Sequence, residues 1–187
     1  MTRLGPLNPA VLDESQRRLY QDITGGPRAQ AAGPDELVDR NGALSGPFNA
    51  MLLQPTLGSA LQALGAAIRY QGGLGGRARE LAILAVAAHW ECGFEQHVHE
   101  AAARRLGLAE ADLAMLRAGR EPPLADPAER AAVRAAQALA GAGDLDDEQY
   151  AEAAAALGTS GVFELTTLVG YYATLALQLR VFRVGRP

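Results

Sequence analysis

Arg79-Glu80-Leu81-Ala82-Ile83-Leu84-Ala85-Val86-Ala87-Ala88-His89-Trp90-Glu91-Cys92-Gly93-Phe94-Glu95-Gln96-His97-Val98-His99-Glu100 is the stretch that decides the fold. Leu81 to Ala88 is apolar on every side, so a helix running from Arg77 to about Trp90 belongs at the centre of a core. Gly93 places a break near Glu91 to Gly93, and a second helix then runs from Phe94 to Leu106, stopped by Gly107. Cys92 falls at or just before the start of that second helix. Free N–H groups and the positive end of the helix dipole favour a thiolate there.

At about 100° per residue, Glu95 and His99 lie one turn apart on one helical face. Cys92 shares that face if the helix reaches back to it, and His97 points away. Glu80 sits on the preceding helix and joins the group only if the two helices pack side by side. Each of these residues also has an ordinary structural use. A lone cysteine is often core packing. Glu95 and His99 make an i,i+4 pair, Glu80 can serve a helix dipole or pair with Arg77 or Arg79, and His89 with Trp90 can pack a helix end. A metal site from Cys92, His97, His99 and His89 is disfavoured, because two histidines at i,i+2 diverge on a helix.

Outward from this stretch the chain reads as helix after helix, cut by glycine and proline. Asn8-Pro9 opens a helix marked by Leu12, Leu19, Tyr20 and Ile23 and ended by Gly25-Gly26-Pro27. Ala29 to Ser45 reads as a long loop. Gly46 to Leu53 is a short helix ending near Pro55. Leu57, Leu61, Leu64 and Ile68 mark the next, stopped by Gly72-Gly73-Leu74-Gly75-Gly76. Helices over 109–118, 126–140 and 146–157 follow, and Ser160 is expected to cap a last one from Gly161 to Phe182. No segment reads as a strand. The glycine pairs spell neither a dinucleotide nor a phosphate-loop fingerprint. Glu80-Leu81-x-x-Leu84 and Glu164-Leu165-x-x-Leu168 form a weak internal echo.

The 187 residues, of which 49% are hydrophobic and 5% aromatic, suit a single all-α domain packed through small side chains. All 17 basic residues are arginine, which excludes Schiff-base and phosphate-loop lysine chemistry. A single cysteine excludes an intrachain disulfide. The net charge of -4 argues against nucleic acid as a partner. The most apolar long segment, Val162 to Val184, is interrupted by Glu164, Gln178, Arg180 and Arg183, so no membrane partner is expected. The start of the sequence lacks the apolar run of a signal peptide, and with the unpaired cysteine this points to the cytoplasm.

The Glu80 to His99 segment resembles the carboxymuconolactone decarboxylase and alkylhydroperoxidase-D-like family. The hydroperoxidase branch spaces a Glu, a Cys, a second Cys and a His as Glu80, Cys92, Glu95 and His99 are spaced here, with Glu95 in place of the second cysteine. In the decarboxylase branch and its uncharacterised relatives a Glu commonly stands at that place, and Glu80, Glu95 and His99 fit that pattern. Gly46-Pro47-Phe48-Asn49-Ala50-Met51-Leu52 and Val162 to Tyr172 resemble two further family segments. The resemblance implies an all-α helical bundle over residues 46–182, with 1–45 as an extension. It implies homo-oligomers (dimers, trimers or hexamers), a small-molecule substrate, and neither metal nor organic cofactor.

It also implies site roles. Glu80, Cys92, Glu95 and His99 are the catalytic candidates, and His89, Trp90, Phe48 and Tyr171 the substrate-binding ones. Acid–base chemistry on a small carboxylic acid or lactone ranks first, with an arginine such as Arg77, Arg79 or Arg69 expected to hold a substrate carboxylate. A one-cysteine peroxidase using an external thiol ranks second, since the missing second cysteine breaks the internal disulfide cycle. A non-catalytic helical oligomer that binds a small molecule ranks third.

Overall fold

The computed structural model describes residues 2–31 and 37–184. Among them are nine α-helices: α1 (Glu14–Gly25), α2 (Pro27–Ala31), α3 (Pro47–Met51), α4 (Pro55–Tyr70), α5 (Gly76–His89), α6 (Gly93–Arg105), α7 (Glu110–Arg117), α8 (Pro127–Ala142) and α9 (Asp147–Phe182). The only β feature among the described residues is one isolated bridge, Val38 to Leu44. The all-α reading therefore holds. The chain divides into two compact units, residues 1–71 with 177–187, and residues 72–176.

In the first unit the expected opening helix is two pieces. A 3-10 turn, Pro9–Val11, is capped by Asn8, and α1 starts afresh behind Asp13. Asp13 and Gln16 complete a reciprocal capping box, which fixes that restart. The expected loop from Ala29 begins later than the sequence suggests, because α2 continues to Ala31; the stretch 32–36 lies outside the described residues.

Helix α4 forms where its leucines recur, but those leucines are not its packed face. Leu57 is 64% exposed, whereas Gly58, Gln62, Gly65 and Ile68 are buried. Gly58 explains the inversion. A Cβ there would collide with the Met51 carbonyl oxygen and come within 2.8 Å of Leu19 Cδ2. The glycine lets α4 approach the α3 backbone and the Leu19 side chain of α1 closely, and Leu57 and Leu64 are left exposed.

In the second unit α5 is the central helix. Leu81 to Ala87 are all buried, as a run apolar on every side requires. It packs against α8, α6 and α7. Leu81, Leu84, Ala103, Leu108, Leu113, Leu116, Leu124 and Val133 form one core cluster. Helix α8 begins at Asp126, whose side chain accepts from the Ala128 amide, with Pro127 in the first turn.

The break expected at Ser160 lies instead at Gly158, whose φ of 72° takes α9 out of helical geometry. Beyond it, Glu164 does not cap its own helix. Its carboxylate accepts from the amides of Gly73 (2.7 Å) and Leu74 (3.2 Å), tying down the turn that enters α5. The two halves of the Glu-Leu-x-x-Leu echo thus do different work. By length and composition α9 could cross a membrane, although only 33% of its most apolar window is buried here.

Candidate functional site

The site starts with the way α5 ends. Trp90 caps the helix, and Glu91 takes the left-handed conformation with φ 48°. The Glu91 amide donates to Ala88 O (3.1 Å) and the Cys92 amide to Ala87 O (2.9 Å). These two bonds make a Schellman termination, which ordinarily places glycine where Glu91 stands. The sequence suggested that Gly93 breaks the helix; the left-handed residue is Glu91, and Gly93 is already the first residue of α6.

Cys92 then serves twice, closing α5 and standing at the N-cap of α6. It is buried. Glu95 is three residues on, at the spacing from which a carboxylate would normally reach back to the N-cap amide. That amide is already taken by Ala87, so the Glu95 side chain turns along its own helix to His99.

His99 is the centre of the site. Its Nδ1 lies 2.6 Å from Glu80 Oε2 and its Nε2 lies 3.1 Å from Glu95 Oε2. Glu80 is 1% exposed, Glu95 3% and His99 4%. Burial lowers the His99 pKa, but the charge and hydrogen bond of Glu80, then those of Glu95, outweigh it and raise the value above the ordinary 6.5. With both ring nitrogens protonated, Nδ1 donates to Glu80 and Nε2 to Glu95, which is the one protonation state that serves both carboxylates. The edge-to-face ring of Tyr172, 5.1 Å away, walls the imidazole. One carboxylate oxygen, Glu95 Oε1, is buried with no hydrogen-bond partner among the described residues. Such an atom costs about 1–3 kcal/mol.

The structure thus joins Glu80, Glu95 and His99 directly, and sets Cys92 at the head of the helix that carries two of them. His97 is exposed and turned away, and His89 is exposed at the end of α5, edge-on to half-buried Trp90. Tyr171 is buried and packs edge-on against Tyr172, so Tyr172 is the aromatic that meets His99. Sequence reading named Tyr171 for that place. The signal for Tyr172 was the spacing Leu165, Leu168, Tyr172, Leu175, a single buried stripe. Phe48 belongs to the first unit, where the Arg28 guanidinium lies 4.6 Å over its ring.

Of the expected carboxylate anchors, Arg77 is engaged, whereas Arg79 keeps a buried Nε without a hydrogen-bond partner among the described residues. Arg77 donates from Nε to Glu129 Oε1 at 2.6 Å and from Nη1 to the Leu106 carbonyl at 3.0 Å. Arg79 donates from Nη1 to the Leu74 carbonyl at 3.4 Å. Arg69 lies on α4 in the first unit.

The second unit is all-α and holds a histidine between two buried carboxylates. Residues 55–138, a little under half of the chain, match the model of the carboxymuconolactone decarboxylase family. Solved structures share the fold. ATU0492 of Agrobacterium tumefaciens, a protein of unknown function, is 23% identical with a TM-score of 0.67, over 74% of this chain and 96% of that one. A peroxidase-related protein with an alkylhydroperoxidase AhpD core, from Ralstonia eutropha JMP134, is 13% identical with a TM-score of 0.74, over 100% and 93%. A cysteine-to-alanine variant of the debrominase Bmp8, in complex with 2,3,4-tribromopyrrole, is 15% identical with a TM-score of 0.74, over 100% and 92%. At these identities the likeness is one of fold. No curated protein matches the sequence.

Proposed function

We propose that the protein is an enzyme that moves protons at a small organic substrate, with decarboxylation of a small acid or lactone as the representative reaction. The observation that carries this reading is the His99 imidazole held between Glu80 and Glu95 in a buried site. When a carboxylate leaves as carbon dioxide, the electron pair of the broken C–C bond stays on carbon as an enolate-like anion, which then takes a proton. The His99 imidazolium supplies that proton from Nε2 by way of the Glu95 carboxylate, which carries it only in passing, and Glu80 stabilises the imidazolium through Nδ1 until the proton has left. The tribromopyrrole complex of Bmp8 supports a small organic molecule as the ligand of this fold.

The test is turnover across a panel of small carboxylated lactones and acids. Activity is expected to fall in His99→Ala and Glu95→Gln and to survive in Cys92→Ser. Parent-level activity in all three variants would contradict the relay.

A second reading has its own observation, the position of Cys92 at the N-cap of α6. Its thiolate would attack the O–O bond of a hydroperoxide, leaving a sulfenic acid and an alcohol, and an external thiol would reduce the sulfenic acid. Hydroperoxide turnover with a dithiol, abolished by Cys92→Ser, would establish it. We also propose a cytoplasmic homo-oligomer, supported by the exposure of Leu57 and Phe163, and a monomeric mass by light scattering would contradict it.

A further inference from the structure

We infer that Glu95 Oε1 receives a neutral hydrogen-bond donor from the substrate, a hydroxyl or a ring N–H, and that the ligand brings no bare carboxylate to this atom. The inference rests on the relay reading and names the ligand chemistry it serves. The two oxygens of Glu95 differ in kind. Oε2 faces His99 Nε2, whereas Oε1 is shut off from solvent with no donor. The local chain explains why. Glu95 stands at the position from which it would cap α6, and the amide it would take is bonded to Ala87 O. No neighbouring turn supplies a substitute, so the acceptor is left over by the way α5 meets α6.

An anionic oxygen placed against Oε1 would set like charges in contact in a site that water does not screen. A neutral O–H or N–H would satisfy the acceptor and couple the ligand to the relay through one carboxylate.

Phenol, anisole and benzoate separate these chemistries with one ring and three oxygens: a donor, an acceptor without a proton, and an anion. Each is titrated into the intact protein while the His99 ring resonances are followed. Phenol is expected to shift those resonances and to bind about tenfold more tightly than anisole, with benzoate weakest. Glu95→Gln can present an amide N–H where Oε1 was, and should lose the preference for phenol. Equal binding of phenol and anisole, tighter binding of benzoate, or an unchanged phenol preference in Glu95→Gln would overturn the inference. If Glu95→Gln does not fold, the order of the three probes on the parent protein decides. Binding is read without turnover. A phenol preference without His99-dependent catalysis would remove the enzymatic reading alone, and His99-dependent catalysis without that preference would remove this inference alone.

Discussion

Helix α6 carries two buried acids, Glu95 and Glu100, and treats them in opposite ways. Glu100 Oε1 accepts from Arg117 Nε at 2.5 Å and its Oε2 from Arg104 Nη2 at 3.0 Å. Glu110 joins both arginines, so the charge of Glu100 is answered within a network that pins α6 to α7. Glu95 meets no guanidinium among the described residues. One oxygen faces the His99 ring and the other has no hydrogen-bond partner there. A structural carboxylate is satisfied at every lone pair that burial takes from water. Glu95 departs from that rule with one oxygen, and the proposed function takes this departure as a mark of use.

The widest separation between the two acids is expected in turnover. Glu95→Gln or His99→Ala should lower kcat/KM by about 10²–10⁴-fold, the span of a lost general acid–base group. Glu100→Gln should leave kcat/KM within about twofold of the parent, because its carboxylate touches arginines only. Comparable losses in both variants would erase the distinction.

Stability should separate them in the reverse direction. Glu100→Gln removes the acceptor shared by two guanidinium groups and should cost about 1–2 kcal/mol in urea denaturation. That figure is discounted because Arg104 and Arg117 are 46% and 41% exposed. Glu95→Gln should cost less, since its unsatisfied oxygen already works against folding.

The smallest effect concerns the junction that sets Glu95 free. The bonds ending α6, Gly107 amide to Arg104 O and Leu108 amide to Ala103 O, repeat those ending α5. Gly107 occupies the left-handed position there, at φ 80°. Glu91 at φ 48° adopts the same conformation with a side chain. Glu91→Gly should therefore stabilise the protein by about 1 kcal/mol, read as a rise in Tm of about 3 °C. A fall in Tm would show that the Glu91 side chain contributes more than its backbone costs.

Most helices were legible because hydrophobic period and punctuation agree: α5 from its unbroken apolar run, α8 from Asp126-Pro127, α6 from Gly93 and Gly107. The errors fall where tertiary contact overrides local pattern. The apolar positions that mark α4 do not all pack: Ile68 is buried, whereas Leu57 and Leu64 are exposed beside the close approach through Gly58. Ser160 had the chemistry of a cap, yet Gly158 alone could take a positive φ without strain. In the site, the Glu95–His99 pair followed from helical spacing. Glu80 could be placed against His99 only by the packing of α5 on α6, a contact 19 residues apart in sequence. The unsatisfied oxygen of Glu95 was not legible at all, because it depends on the backbone bond between Cys92 and Ala87.

The central claim is that His99 is an imidazolium held by two carboxylates, and its titration tests this most directly. The folded-state pKa lies above the unfolded value. The stability His99 contributes is therefore complete below about pH 6.5 and lost as pH rises through the folded pKa. A histidine-labelled NMR titration reads the His99 ring directly. The account predicts that His99 titrates above the ordinary 6.5, and that its pKa falls in Glu80→Gln. A His99 that titrates below 6.5, or whose pKa does not move in Glu80→Gln, would contradict it.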